Sequence, residues 1–269
     1  MAAYHLGLVG AGNMAEAIVR GALAAGVLPA ASIAASDPSA ERRRLFADEL
    51  GVGVLDDNAA VVHRSDVVVL AVKPQTIDDV LSDIGPLLGP GKLLVSIAAG
   101  VTLERLARRC AEGVHIIRTM PNTPMLAGRG MVALSRGPAA DNDDARRVRE
   151  LFGACAAVIE VPERKMDAVT AVSGSGPAYF FLLVEALVEA GVAAGLDHDE
   201  AVTLAETTFA GAAELLASGD LPASELRRRV TSPGGTTAAA IASLEAAEFA
   251  AAVARAVEAA ADRSRELGG

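Results

Sequence analysis

A glycine-rich turn near the N-terminus constrains the fold of this chain more than any other feature. Residues 6–15 have the sequence L-G-L-V-G-A-G-N-M-A, which predicts a buried parallel strand that leads directly into a turn and a helix. Gly10, Gly12 and Ala15 occupy the G-x-G-x-x-A positions. Gly10 allows the tight turn, Gly12 lets a pyrophosphate approach bare backbone, and Ala15 lets the helix pack closely on the strand. The pattern predicts a dinucleotide-binding turn in preference to a purely structural one.

Strand and helix patterns alternate from this turn to about residue 162. The run D-V-V-V-L-A-V at residues 66–72 is β-branched and continuous, as expected of a strand buried on both faces. No strand signal follows Pro162, where long apolar helices begin. The sequence therefore predicts an α/β fold with an N-terminal Rossmann dinucleotide-binding domain and an all-helical C-terminal domain for dimerisation and substrate binding. We expect these domains to cover residues 1–162 and 163–269.

The helix predicted over residues 179–194 is apolar around most of its circumference. Such a helix must be buried on several sides, which a small domain alone hardly provides. We therefore expect it to pack against a second subunit. The longest uncharged run, residues 168–184, is interrupted by Gly174, Gly176 and Pro177, so we expect no membrane span.

Composition narrows the classes of function. A formal net charge of −10 argues against a nucleic-acid partner, because phosphate binding needs clustered basic side chains. The chain has only two cysteines, Cys110 and Cys155, which argues against a disulfide framework and predicts a cytoplasmic protein. The four histidines are scattered without the spacing of metal ligands, so no metal site is predicted.

Several small or polar residues follow the predicted strands, where open α/β sheets bind their ligands. Lys73 is one of only three lysines, which weakens its interpretation as an ordinary surface residue. Two prolines flank Asn122 in a stiff loop that presents its side chain. We expect the coenzyme cleft to be lined by Ala71, Val72, Lys73, Pro74, Ala99 and Asn122.

The end of the second strand carries two competing signals for the coenzyme ribose. Asp37 could accept a hydrogen bond from a ribose 2′-hydroxyl, which favours NAD, or could cap the following helix. Ser36 with Arg42, Arg43 and Arg44 could hold a 2′-phosphate, which favours NADP, or the arginines could form a solvated helix face. Spacing alone leaves these alternatives open.

A second chemically informative stretch is V-T-S-P-G-G-T-T at residues 230–237. Glycines before hydroxyl residues at a helix start expose several backbone N–H donors, which suits a carboxylate. The alternative is a plain loop with a threonine cap.

These motifs resemble those of the pyrroline-5-carboxylate reductase family. The resemblance rests on segments that span nearly the whole chain in the family's order: residues 10–15, 71–74, 98–102, 120–124, 173–179 and 230–237. It implies a Rossmann domain, a helical domain interlocked in a homodimer, and dimers that assemble into a decamer. It also implies NADPH as the usual hydride donor, with NADH as an alternative because Asp37 would repel a 2′-phosphate.

The resemblance also assigns roles to individual residues. The pyrophosphate would be held by Gly10, Gly12, Asn13 and Met14, and the adenosine side would include Ser36 and Asn58. The carboxylate of 1-pyrroline-5-carboxylate would bind at Ser232, Gly234, Gly235, Thr236 and Thr237. The orientation of Arg229, into the cleft or out to solvent, stays open.

The implied reaction is reduction of the C=N bond of 1-pyrroline-5-carboxylate to L-proline, the last step of proline biosynthesis. A protonated cyclic imine already accepts hydride, so catalysis needs mainly positioning, which fits the absence of an obvious His or Glu dyad. Thr237 is the first catalytic candidate, through a hydroxyl near the ring nitrogen, and Lys73 is the second.

Two alternatives belong to different classes. A β-hydroxyacid dehydrogenase-like oxidoreductase has the same two-part layout, but its catalytic lysine on the long helix has no counterpart in residues 179–194. A non-catalytic dinucleotide-sensing protein would need no second anion site, so the 232–237 loop argues against it.

Overall fold

The computed structural model describes residues 4–268 and consists of two compact units. One unit contains the chain up to residue 175 together with residues from 259 onward, and the other contains residues 176–258. Residues 163–175 therefore pack with the first unit, whereas the boundary predicted from the sequence lies at residue 162.

An eight-stranded sheet forms the centre of the first unit. Its order is β3-β2-β1-β4-β5-β6-β7-β8, in which β1 to β6 are parallel, β7 is antiparallel to β6, and β8 is parallel to β7. The strands are β1 (Tyr4–Val9), β2 (Ile33–Ser36), β3 (Gly53–Val54), β4 (Ser65–Leu70), β5 (Leu93–Ser96), β6 (His115–Pro121), β7 (Gly130–Arg136) and β8 (Ala156–Glu160).

The register of the sheet aligns the carboxyl ends of its central strands. Val9 pairs with Ser36 on one side and with Leu70 on the other, and Leu70 pairs with Ser96. The loops that follow these four strands therefore leave the sheet at the same edge, which is where open α/β sheets bind ligands.

Helices cover both faces of the sheet and bury two apolar cores. Leu8, Val69 and Ile117 belong to one core, whereas Val68 and Leu94 belong to the other, as expected where successive side chains of a strand point to opposite faces. The helices are α1 (Asn13–Ala24), α2 (Ala40–Arg44), α3 (Asn58–Arg64), α4 (Ile77–Ile84), α5 (Leu103–Ala107), α6 (Asn142–Gly153) and α7 (Met166–Val169). This doubly wound arrangement is a Rossmann domain, and it confirms the predicted fold class.

Only helices follow β8 within the described residues. They are α8 (Gly176–Ala193), α9 (His198–Ala217), α10 (Ala223–Arg229), α11 (Thr236–Ala246) and α12 (Phe249–Gly268), whose last part belongs to the first unit. In the second unit α8 and α9 pack together, with the rings of Phe180 and Phe209 5.6 Å apart. The predicted all-helical second half is confirmed.

The apolar surface of α8 is largely uncovered in the single chain. Gly176 is the one buried residue of this fully described helix, and Phe181 and Leu182 are 59% and 65% exposed. Residues 163–193 form one helical run that is long and apolar enough to cross a membrane by length and composition. The expectation that Gly174, Gly176 and Pro177 interrupt this run was wrong.

The helical run continues because one wider turn accommodates the glycines and because the proline lies in the first turn of α8. The N–H of Ser175 bonds to the carbonyl of Thr170 at 2.8 Å, which makes one wider helical turn. Pro177 lies in the first turn of α8, a position where helices accept a residue without an N–H.

Candidate active site

The glycine turn after β1 has the geometry that its sequence predicts. Gly10 has φ +97°, and a Cβ there would lie 2.7 Å from the carbonyl oxygen of Ala71. Its N–H donates to the carbonyl of Ser36 at 2.9 Å. Only glycine combines this left-handed backbone with such close approach to the next strand.

The start of α1 offers an open cradle of backbone donors. Gly12 precedes the helix, and no side chain caps the first turn. A Cβ at Gly12 would meet no atom within 4 Å, so the space above the turn is clear. The unbonded N–H groups of this turn and the positive end of the helix dipole suit a pyrophosphate. Gly12, Asn13 and Met14 are therefore placed where the sequence predicts pyrophosphate ligands.

Ser36 and Asn58 meet at the end of β2. The Ser36 hydroxyl is buried and lies 2.7 Å from Oδ1 of Asn58. Asn58 begins α3, which Asp57 caps by accepting the N–H of Ala60 at 2.7 Å. The two residues predicted at the adenosine side thus form one hydrogen-bonded pair.

Asp37 is not the cap of α2, because Ser39 holds that position and accepts the N–H of Arg42. The Asp37 carboxylate instead accepts N–H groups from Ala11 at 2.7 Å and Ser39 at 2.8 Å. The helix-cap interpretation of Asp37 was therefore wrong. Its side chain joins the glycine turn to the loop after β2.

Glu16 neutralises one of the nearby arginines. It lies 2.8 Å from both Arg20 and Arg42. Burial alone would raise the pKa of Glu16, but the hydrogen bonds from the two guanidinium groups outweigh it and hold the pKa below its ordinary value. Glu16 therefore stays ionised and compensates Arg42.

The loop after β4 lies directly beside the glycine turn. The N–H of Ala71 bonds to the carbonyl of Val9 at 2.8 Å, and Val72 lies against Gly10. Lys73 is exposed and precedes the short helical turn Pro74–Thr76. Ala99, after β5, is half-buried at the same edge of the sheet. Ala71, Val72, Lys73, Pro74 and Ala99 thus follow neighbouring strands at one edge of the sheet, and their contact with a coenzyme stays a prediction.

The Asn122 side chain is bonded to other parts of the protein. Its Nδ2 donates to the carbonyl and hydroxyl oxygens of Ser173 at 3.2 and 3.3 Å, and its Oδ1 accepts the N–H of Met131 at 2.8 Å. Asn122 thereby connects β6, β7 and the turn before α8. Direct contact with the coenzyme stays a prediction.

The 232–237 loop of the second unit also ends in an uncapped helix start. Gly234 has φ +69°, Gly235 precedes α11, and no side chain caps the helix. Thr236 is exposed and Thr237 partly buried. The free N–H groups of this turn suit a carboxylate, and the alternative of a threonine cap is wrong because the capping position is Gly235. Arg229 bonds to Glu225 at 3.2 Å.

Two polar networks were absent from the sequence prediction. Arg118, whose side chain is 5% exposed, lies 3.1 Å from Glu163 and 4.0 Å from Asp167. Arg105 donates to both carboxylate oxygens of Asp78 and to the carbonyl of Leu267. The partners are up to 162 positions apart, so no local pattern could have revealed them.

One group of potential metal ligands lies elsewhere in the first unit. Ligand atoms of His115, Asp141 and Asp144 lie within 4.8 Å of one another. His115 is 2.6 Å from Asp144, and Asp141 and Asp144 form a reciprocal cap at the start of α6. Helix capping and a hydrogen bond account for this geometry, and the expectation of no metal site stays a prediction.

Similarity to known proteins extends over both units. Residues 163–267 match the family model for pyrroline-5-carboxylate reductase dimerisation, and residues 5–100 match the model described as NADP oxidoreductase, coenzyme F420-dependent. A pyrroline-5-carboxylate reductase from Pisum sativum is 45% identical over 264 residues, covering 98% of this chain and 96% of the relative. The chain belongs to the pyrroline-5-carboxylate reductase family.

Solved structures of pyrroline-5-carboxylate reductases support the same assignment. The structure from Coxiella burnetii has a TM-score of 0.92 at 36% identity and 99% coverage of both chains. The Plasmodium falciparum pyrroline carboxylate reductase with NADP bound has a TM-score of 0.88 at 33% identity over the full length of both chains. The family predicted from the motifs is confirmed.

Proposed function

We propose that this protein is an NAD(P)H-dependent pyrroline-5-carboxylate reductase. It reduces the C=N bond of 1-pyrroline-5-carboxylate to L-proline, the last step of proline biosynthesis. The observation that carries this proposal is the full-length similarity to reductases of that name, at 45% identity to the Pisum sativum relative.

The coenzyme would be NADPH, with NADH as an alternative donor. The open donors at Gly12, Asn13 and Met14 fit its pyrophosphate, and Ser36 and Asn58 fit the adenosine side. Ala71, Val72, Pro74 and Ala99 leave a small-residue surface for the nicotinamide end. When bound, the reduced nicotinamide supplies the hydride.

The residues of the 232–237 loop would bind the substrate. The N–H groups at the start of α11 hold its carboxylate, and the Thr237 hydroxyl hydrogen-bonds at the ring nitrogen. The imine nitrogen takes a proton from solvent, so the ring carbon is already electrophilic. The chain therefore contributes mainly positioning, and Lys73 is the second candidate for a polar contact.

We also propose that the working form is a homodimer in the cytoplasm, assembled further into a decamer. The exposed apolar surface of α8 needs a cover, and the dimerisation model matches the segment that contains it. A second subunit would bury this surface as well as a bilayer would. Burial between subunits also explains why apolar side chains surround the helix. We expect neither nucleic acid nor membrane as a partner.

The alternative functions lack a supporting feature. Helix α8 contains no lysine, which a β-hydroxyacid dehydrogenase-like reaction would need. A dinucleotide sensor needs no second anion site, whereas the uncapped helix start at α11 offers one.

A steady-state assay tests the proposed function. The purified protein is mixed with 1-pyrroline-5-carboxylate and either NADPH or NADH, and coenzyme oxidation and proline are measured together. We expect one proline per coenzyme oxidised. Tight dinucleotide binding without turnover would overturn the reductase assignment and favour the sensor.

A further inference from the structure

The first unit contains a cavity at the amino edge of its sheet, opposite the edge that carries the glycine turn. The cavity encloses about 170 Å³. It is lined by residues from the first halves of β1 and β4, from the loop after α1 and from one face of α6. None of these residues belongs to the proposed coenzyme or pyrroline sites, so the cavity is a separate feature of the fold.

Most of the cavity lining is apolar. Its apolar side chains are Leu6, Val27, Leu28, Val67, Val148 and Leu151. Leu6, Val148 and Leu151 are each at most 5% exposed. A cavity of about 150 Å³ with a comparable lining stays free of water and holds benzene. This cavity therefore has room for an apolar group of about five to seven carbons.

One charged side chain in the lining has no partner among residues 4–268. Glu150 pairs with Arg146 at 2.7 Å, and the ring of His5 lies 3.6 Å from Asp66. Arg147 is partly buried and makes neither a hydrogen bond nor an ion pair with the described residues. All five N–H donors of its guanidinium are therefore available to a ligand.

An available guanidinium beside an apolar cavity suits an anion with an apolar tail. Guanidinium groups bind carboxylates through two parallel hydrogen bonds, and each carbon that leaves water adds to the affinity. We propose that this cavity binds a monocarboxylate whose tail has about five to seven carbons. The carboxylate lies on Arg147, and the tail packs against Val148 and Leu151.

The charges around the cavity favour one negative charge on the ligand over two. Arg147 balances a single charge, and a second one would meet no further unpaired cation among the described lining residues. The carboxylates of Glu150 and Asp66 would instead repel it. A monocarboxylate therefore fits better than a dicarboxylate or a phosphate ester.

Calorimetry with 4-methylpentanoate tests the site without any coenzyme or pyrroline substrate. The dissociation constant is measured for the wild type, Arg147→Gln and Arg149→Gln. Arg149 is the matched control, because it lies on the same helix but pairs with Glu160 and does not line the cavity. Propanoate serves as a second probe, since it has the same charge and three fewer carbons.

We expect the wild type to bind one 4-methylpentanoate per chain, and Arg147→Gln to weaken this binding about tenfold. Arg149→Gln should leave the affinity within about twofold. Propanoate should bind the wild type at least about tenfold more weakly than 4-methylpentanoate, because less apolar surface leaves water. No saturable binding of 4-methylpentanoate by the wild type would overturn the proposal.

Unchanged affinity in Arg147→Gln would also overturn it, because the carboxylate would then be bound elsewhere, as at the 232–237 loop. Methyl NMR of the wild type gives a second test that needs no variant. The methyl signals of Val148 and Leu151 should shift on addition of 4-methylpentanoate, and unshifted signals would contradict the site. A failure of the reductase assay would leave these measurements unaffected, so the two proposals fail separately.

Discussion

Thr237 is the second residue of α11, and its side chain is partly buried whereas that of Thr236 is exposed. Replacing Thr237 with valine keeps the shape of the side chain and removes the hydroxyl. We expect kcat/KM for 1-pyrroline-5-carboxylate to fall about tenfold to a hundredfold, or ~1–3 kcal/mol of transition-state stabilisation.

Thr237→Ser is the matched control, because it restores the hydroxyl and should retain most of the activity. Steady-state kinetics of both variants decide the role. A Thr237→Val enzyme within about twofold of the wild type, a difference of ~0.4 kcal/mol, would show that the hydroxyl does not act in the reaction.

For individual residues, the sequence predicted where a side chain lies in the fold better than it predicted which groups that side chain contacts. Gly10 could be assigned because a left-handed turn and a close strand leave no other residue type. Asp37 could not, since acceptance of the Ala11 N–H depends on how β1 and β2 lie side by side. Asn122 was predicted to line the coenzyme cleft, and the hydrogen bonds from its amide to Ser173, 51 positions away, could not be predicted from any local pattern.

The last turn of α12 packs against the loop after β5. Gly100 has φ +78°, and a Cβ there would lie 2.8 Å from Cβ of Leu267. Arg105, in the adjacent α5, bonds to the carbonyl of Leu267 at 3.2 Å and to both oxygens of Asp78 in α4. We call Arg105, Asp78 and Leu267 the C-terminal clamp.

Removing the clamp should loosen two segments together. We expect Arg105→Ala to cost about 1–2 kcal/mol of unfolding free energy and to accelerate amide exchange in residues 98–103 and 260–268. Thermal unfolding and hydrogen exchange check this. Arg108→Ala is the control, because its pair with Glu104 lies on the same helix with both side chains more than 70% exposed.

Acid should weaken the clamp as well. The hydrogen bonds from Arg105 hold the pKa of Asp78 below its ordinary value of 3.8. The stability from this pair is therefore present above pH 3.8 and is lost as pH falls through the lowered pKa. Unchanged exchange in both segments of Arg105→Ala would contradict the clamp.

Helices and strands were predictable wherever the pattern was local. The continuous β-branched run at residues 66–72 and the apolar run of α8 each depend on neighbours in sequence, and both elements formed where expected. The clamp joins residues 162 positions apart, so only the fold could reveal it. The continuity of 163–193 was missed because glycine and proline were taken as breaks, although their positions spare the helix.

At the scale of the whole molecule, α8 should hold subunits together. We expect the wild type to sediment as a dimer or a larger assembly, and Leu182→Glu to release monomers. Leu182 is 65% exposed in one chain, and burying a leucine contributes about 1.5–3 kcal/mol, which a buried glutamate would forfeit.

Val27→Glu is the control, because Val27 is an exposed apolar residue of the first unit. Analytical ultracentrifugation of the three proteins at equal concentration separates the outcomes. A monomeric wild type would show that α8 does not bury its apolar surface against a second subunit.

Hydride from the coenzyme should reach the C=N carbon of 1-pyrroline-5-carboxylate. The most direct measurement uses reduced coenzyme with deuterium at both C4 positions of the nicotinamide and locates the label in the product by mass spectrometry and NMR. We predict L-proline with one deuterium on the ring carbon that was doubly bonded to nitrogen. Coenzyme oxidation that leaves proline unlabelled, or yields none, would contradict the account.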